Sequence, residues 1–518
     1  MKKKYITKLM IAVCLSSALS LNSCIEEVFP ESSTATIDQI GKSDQAISAM
    51  VNSVVAFINA FRSYGPQFYH DFGYSGYNLI RESACEDFFC HEPKFDFFDT
   101  YGVCNDLGDA DVVNTIWYYN YKFLNNVNNA LSALEKADDA PENKYYKGIC
   151  LSYRAMIYMD LVRMYEYKKT GVEKLDAEAA SKNLYGITVP IITAETTEEE
   201  GRNNPRAPFY AVYKFILDDL ASAEELLSDY QRPTKNLPCT PVVHGLMARM
   251  WLEMGSRFEL YPEDLNTLNN NTDLNIASKE TCFTKAAEYA RKVINESGAM
   301  PLTEKEWFGG DSYTTGFNSV LTNSWVWGSI MTTEDVHSYW LNFAGSMCPE
   351  QTFGYGNRKW QGYKLIGKKL FDQIPNADWR KTTWIAPEDA HKAPGTKYRT
   401  LLTDDDFADM PPYTGIKFRP KNGEMNDYTI GAAVDYPLMR IEEMYLIEGI
   451  IFWDYKRLEL QVVRGYPGTN APIGYRFNSI EGYCAPWMNI FISLYENVFN
   501  KGAVLNPDPS QAIKEWVE

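Results

Sequence analysis

Side chains able to do chemistry are thinly supplied in this chain of 518 residues. Its five histidines, His70, His91, His244, His337 and His391, are scattered, and His244 sits in an apolar helical pattern that suits a satisfied core imidazole. Metalloprotease HExxH, CxxC, GxSxG and Walker-type phosphate loops are all missing. Cys85, Cys90 and His91, with Cys104 nearby, have a C-x4-C-H spacing that fits no strong zinc pattern, so buried thiols or a local disulfide are the simpler readings. Asp404-Asp405-Asp406 reads as a solvated acidic turn more readily than as a cation site. Acidic residues are abundant enough to pair on paper as a glycosidase dyad. Such a dyad is defined by its separation in space, which spacing along the chain does not supply. The sequence therefore predicts no metal, no cofactor and no catalytic set.

Aromatic loops are the stronger signal. Tyr64, Tyr69, Tyr74 and Tyr77, with Asp71 and Arg81, lie in a stretch interleaved with Gly65, Gly73 and Gly76. Trp307, Asp311 and Tyr313 share a second, Gly-rich turn, and Trp340, Tyr355 and Trp360 fall in a third. Rings with nearby Asp, Asn and Arg suit sugars, whose CH faces are apolar and whose hydroxyls need fixed polar partners. These twelve residues are the candidate ligand contacts. The bland alternative is that the rings pack beneath long loops as satellite cores.

The elements that position them begin with an address. Lys2, Lys3, Lys4 and Lys8 precede an apolar run from Leu9 to Leu21, followed by Leu21-Asn22-Ser23-Cys24. A basic start, a short apolar stretch and a small residue before the cut are marks of a secretory signal, and the run is shorter than the roughly 20 residues of a spanning helix. Cys after Leu-x-Ser is similar to a bacterial lipobox, which would make residues 1–23 a signal peptide, Cys24 the lipidated first residue and 24–40 a tether. The protein would then be anchored to a membrane by lipid alone. Removing the four signal lysines leaves 46 basic against 68 acidic residues, so the −18 of the whole chain becomes −22. A body this acidic is a poor nucleic-acid binder, because phosphate contacts need clustered Lys and Arg.

Beyond the tether the pattern is helical. Apolar residues recur at helix spacing over 46–61, 112–137, 145–167, 209–227, 241–254 and 283–294. Small residues at the crossings and short connections suggest degenerate tetratricopeptide-like helix pairs. From 301 to 437 the texture changes to Gly, Pro, Asn, Trp and Tyr, and only 365–374 looks helical. Long irregular structure on a helical frame is usually where function sits.

Several segments carry a family resemblance. Tyr153-Arg154-Ala155-Met156-Ile157-Tyr158 through Tyr165, followed by Gly186-Ile187-Thr188-Val189-Pro190, resembles the "RAxxYxxLxxxYG…vP" signature of SusD/RagB nutrient-uptake lipoproteins. Val212-Tyr213 through Asp218-Asp219-Leu220 to Ala223, the 286–294 segment and Tyr436-Pro437-Leu438-Met439-Arg440-Ile441-Glu442-Glu443-Met444-Tyr445-Leu446 are similar to further helices of that family, and Phe452-Trp453-Asp454-Tyr455-Lys456-Arg457 to its "fxDxkR" element. The resemblance implies an all-α, SusD-like fold over a single domain, 41–518. It implies a lipid anchor on the outer face of the outer membrane, and capture of glycan (or, in some relatives, peptide) for a SusC-like TonB-dependent transporter. It implies binding and not catalysis, and its motif residues are scaffold, so it transfers no ligand site.

The chain departs from the family pattern in one place. Glu448 runs straight into Gly449-Ile450-Ile451-Phe452, where the family has several dozen residues of further helices. That reads as a deletion near 448–449 exposing apolar surface, at about 25 cal/mol per Å2 of lost burial. A surface glycoside hydrolase built on an acidic pair is the rival function, and a structural partner without a ligand is the third.

Overall fold

The computed structural model describes residues 36–61, 71–85, 87–92, 111–138, 140–336, 342–349, 362–393 and 395–449. The signal peptide, Cys24 and the "fxDxkR" segment lie outside them, as does the chain beyond Gly449 where the deletion is expected. Among the described residues no helix is long and apolar enough to cross a membrane.

The frame is all helix. In chain order α1 spans Asp44–Ala56, α2 Tyr74–Ser83, α3 Asp111–Glu135, α4 Pro141–Tyr165, α5 Glu198–Arg202, α6 Phe209–Leu226, α7 Thr240–Leu260, α8 Lys279–Glu296 and α9 Glu304–Trp307. Local chemistry sets their ends. Ser43 and Ser278 cap α1 and α8 by accepting from the backbone N–H of Ala46 and Thr281. Pro141 and Pro241 sit in the first turns of α4 and α7, where a missing N–H costs nothing. The six helical patterns in the sequence correspond to α1, α3, α4, α6, α7 and α8, with boundaries shifted by a few residues.

Helix α4 shows why the frame holds. Every residue from Gly148 to Val162 is buried, on all sides of the helix, which marks a central element and not a surface one. It packs between α3 and α6, while α7 packs on α8. Contact is close enough that a Cβ at Gly148 would lie 2.7 Å from Leu227 Cγ. One continuous core runs from Ile47 through α8 to Ile447.

Buried ion pairs stitch the helices together. Arg154 of α4 donates to both carboxylate oxygens of Asp219 on α6 at 2.7 Å and to Asn128 of α3 at 3.0 Å. Arg249 of α7 grips Glu443 in the same two-pronged way, at 2.6 and 2.7 Å. Arg257 reaches Glu166 at 2.5 Å and Asp264 at 2.8 Å. The motif residues Arg154, Asp219 and Glu443 are thus scaffold residues, as the resemblance implies.

The stretch from 301 to 437 is more ordered than its composition suggests. Strand β2 (Trp325–Ser329) pairs antiparallel with β4 (Tyr436–Arg440), Trp325 facing Arg440 and Ser329 facing Tyr436. Strand β1 (Phe88–Cys90) pairs antiparallel with β3 (Lys364–Ile366), and bridges from Leu365 to Thr414 and from Trp384 to Gly415 extend that small sheet. Separate clusters cover it, one around Ile385, Phe407 and Met410, the other around Ile366, Leu370 and Phe371.

Two expectations change here. The helix expected over 365–374 divides into β3 and a shorter helix, Lys368–Gln373, because Leu365 and Ile366 pair with β1. The segment Tyr436–Leu446, similar to a family helix, starts as β4 and becomes helical only over 441–449. Backbone pairing with β2 fixes its first five residues as strand.

Candidate functional site

The twelve candidate ligand contacts divide into three groups. Tyr64, Tyr69, Trp340, Tyr355 and Trp360 lie outside the described residues. Asp71, Tyr74, Tyr77 and Arg81 gather on and just before α2. Trp307 ends α9, and Asp311 and Tyr313 lie in the turn that follows it.

The α2 group is turned largely inward. Asp71 is fully buried and accepts the Tyr77 hydroxyl at 2.7 Å. The Tyr77 ring lies on Tyr119 of α3, centroids 4.5 Å apart. Tyr74 donates to Asp160 of α4 at 2.7 Å, and Arg81 reaches the other oxygen of that carboxylate at 3.1 Å. Tyr74 and Arg81 keep partial exposure. Asp160, near the C-terminal end of α4, is thus the post to which α2 is tied.

The turn after α9 separates a pedestal from a tip. Thr303 and Glu306 form a capping box that starts the helix. Gly309 and Gly310 then adopt φ of 84° and 76°, and a Cβ at Gly309 would stand 2.5 Å from the Thr315 carbonyl oxygen, so only glycine lets the chain double back. Trp307 ends up buried at 3% exposure, edge-on to Phe317 and Trp379, its indole N–H donating to Thr383 at 3.0 Å. For this ring the satellite-core reading is the one the structure shows, and Phe317 nearby with Trp379 from a distant segment are what enclose it. Asp311 is exposed at the tip, paired with Lys305 at 2.7 Å. Tyr313 is half-buried and holds a left-handed φ of 57°, unusual for a bulky residue.

Aromatic contacts link the two groups. Asn78 of α2 donates to the Tyr436 hydroxyl at 3.0 Å. From Tyr436 the rings run to Phe343 (4.9 Å), Phe418 (5.0 Å), Phe317 (6.2 Å) and Trp307 (4.9 Å). None of Phe317, Phe343, Trp379, Phe418 and Tyr436 is among the sequence candidates. Their one shared signal, aromatic density between 301 and 437, was too diffuse to single them out.

Cations cap this chain of rings. The Lys417 ammonium lies 3.8 Å from the Phe317 centroid, 4.8 Å from Trp307 and 5.4 Å from Phe418. Arg440 covers Phe317 at 4.7 Å and pairs with Glu442 at 2.7 Å. As a whole residue Lys417 is half-buried, yet its amine end is enclosed. Burial and the Arg440 charge push that amine well below the usual lysine range, with Glu442 opposing.

Among the described residues no three His, Cys, Asp or Glu side chains converge as a metal site. His244 is buried on α7, with Nε2 3.0 Å from Glu224 and Nδ1 3.1 Å from Glu296, which is the core imidazole expected. Asp404 to Asp406 open a short helix, with Asp406 used in its capping box. Cys150 and Cys282 are buried thiols that burial pushes up to about 12.

A family model described as "Starch-binding associating with outer membrane", SusD-like, matches residues 49–252, which hold most of α1, all of α2 to α6 and most of α7. Among solved structures, a SusD-like carbohydrate binding protein from Bacteroides vulgatus is 18% identical with a TM-score of 0.58, over 88% of this chain and 81% of that one. A SusD superfamily protein from Bacteroides thetaiotaomicron is 15% identical with a TM-score of 0.55, over 88% of each chain. A laminarin binding SusD-like protein is 14% identical with a TM-score of 0.55, over 90% of this chain and 95% of that one. No curated protein matches the chain. The family match over 49–252 and the shared fold make this chain similar to SusD-like proteins along its paired helices.

Proposed function

We propose that this chain is a cell-surface lipoprotein, acylated on Cys24, that captures glycan and passes it to a SusC-like TonB-dependent transporter in the outer membrane. It acts by binding and not by catalysis. The observation that carries the reading is the fold shared along nine-tenths of the chain with a laminarin binding SusD-like protein. The aromatic turn adds physical support: Tyr313 and Asp311 stand at its tip, braced from below by Trp307, Phe317 and Trp379. Rings of this kind contribute about 0.5–1.5 kcal/mol each when stacked, so capture through a few of them is modest in affinity. Tyr74 and Arg81 on α2, with Tyr64, Tyr69, Trp340, Tyr355 and Trp360, complete the proposed contact set. Asp71, Tyr77 and Trp307 serve it from inside.

Electrophoresis of purified protein through gels containing single polysaccharides tests the reading. Retardation by at least one glycan without new reducing ends is expected. Chain shortening would move the assignment to a hydrolase, and co-purification with a transporter without any glycan retention to a structural partner. Palmitate labelling that disappears in Cys24→Ala tests the anchor.

A further inference from the structure

The loop between α4 and α6 holds an open bowl of about 510 Å3 on the helical frame. Its size falls in the range of small-molecule sites, about 300–1,000 Å3. Thr193, Glu195, Thr196, Glu200, Asn203 and Asn204 line it. It contains no aromatic ring, so it is chemically unlike the turn after α9.

Internal hydrogen bonds fix the lining before any ligand arrives. Glu195 accepts the Thr193 hydroxyl at 2.5 Å, and the Thr193 N–H donates to Thr196 Oγ1 at 2.9 Å. Glu200 accepts the N–H and hydroxyl of Thr197 at 2.8 and 2.9 Å, the capping box of α5. Asn204 donates to the Ile191 carbonyl at 2.6 Å, leaving its amide oxygen to face other partners. The Thr193 hydroxyl holds the Glu195 carboxyl below the usual carboxylate range, and the Thr197 N–H does the same for Glu200, so both accept at neutral pH. Pre-set acceptors and donors lose little freedom on binding.

Three chemistries could be drawn to such a bowl. Directly bound divalent cations favour several converging carboxylates, and the lining brings two, Glu195 and Glu200. Anions are repelled by Glu195 and Glu200. A neutral polyol suits it: each hydroxyl donates to a carboxylate and accepts from a carboxamide or threonine hydroxyl.

We propose that the bowl formed by Thr193, Glu195, Thr196, Glu200, Asn203 and Asn204 is a second saccharide site, selective for neutral over acidic sugars. The sugar class rests on the glycan-capture reading; the site itself rests on the bowl. Without a stacking platform it binds weakly, and it acts on a glycan already held elsewhere.

Saturation-transfer NMR on the full chain tests this with the methyl glycosides of glucose, galactose and mannose as neutral probes and glucuronate as the acidic one. Transfer to at least one neutral glycoside is expected, at least fivefold stronger than to glucuronate, and at least fivefold reduced in Glu195→Gln/Asn203→Ala. Both substituted residues are exposed, and an unchanged melting temperature shows that the variant is folded. Silence from all three glycosides overturns the proposal, as does equal transfer to the variant or to glucuronate. Heat on titrating calcium chloride alone, lost in the variant, overturns it in favour of a cation site. Retained polysaccharide with a silent bowl defeats only the second site; glycoside transfer at the bowl without polysaccharide retention defeats only the capture reading.

Discussion

The helical frame and the loop-rich half solve the same problem of burial in different ways. Helices α3, α4 and α6 share one continuous core, and a two-pronged Arg154–Asp219 pair buried between helices ties α4 to α6. The stretch from 301 to 437 sends Trp327, Phe343 and Val434 into that core and divides other apolar residues among small clusters such as Leu302, Trp307, Phe308 and Phe317. There the Lys417 amine lies over the Phe317 ring, Arg380 grips Asp378 two-pronged within a single turn of chain, and the turns rely on left-handed residues: Gly309, Gly310, Tyr313 and Phe317. A frame of the first kind tolerates little change inside. Small clusters can be altered one at a time, which is how one scaffold can present many surfaces.

The largest effect is expected from breaking the frame. Asp219→Ala strands the Arg154 guanidinium in the core and should cost about 3–5 kcal/mol in urea unfolding, whereas replacing both partners with apolar residues of similar volume should cost far less. A loss under about 1 kcal/mol for Asp219→Ala would mean that the frame does not depend on its ion pairs.

Trp307→Ala should cost about 3 kcal/mol or somewhat more, in the range for a deleted core tryptophan. The loss should be local. Hydrogen exchange should quicken over 302–318 and 379–383 while α3, α4 and α6 stay protected; quickening across the whole chain would erase the distinction between the two halves.

Lys417→Met probes the cation cap through pH. An amine whose folded value is depressed adds stability that is full only above its unfolded value, near 10.4, and is lost as pH falls through the folded one. Unfolding midpoints of the native chain should therefore rise between neutral pH and pH 10 relative to the Met variant. Parallel profiles would place the amine in water.

The smallest effect is Tyr313→Ala. Alanine keeps the left-handed strain and removes only the ring, so stability should hold within about 0.5 kcal/mol. Glycan affinity should fall by about 0.5–1.5 kcal/mol, roughly two- to tenfold. Full affinity in that variant removes Tyr313 from the contact set.

The frame was legible in the sequence because helix period is a local signal. Ile47, Val51, Val54 and Ile58 announce their shared face without reference to anything distant. Strand β4 was not legible, because Tyr436–Arg440 is strand only through Trp325–Ser329, a hundred residues away. Depth was hidden too. Trp307 and Tyr313 look alike in sequence, and only Phe317 and Trp379 decide that one is a pedestal and the other a tip. The bowl beside α5 has no signature in the sequence, because Thr, Glu and Asn in a loop read as ordinary solvent-facing residues.

Strand β1 has a consequence for how the molecule is made. Phe88 pairs with Ile366, and Asn78 with Tyr436, so the first part of the chain cannot finish folding until nearly the whole chain exists. At roughly 5–20 residues per second, the gap between Phe88 and Ile366 takes on the order of 14–55 s to synthesise. Throughout that interval Phe88 and Phe89 lack their strand partner, which makes this short edge the point where a holding chaperone would most usefully act.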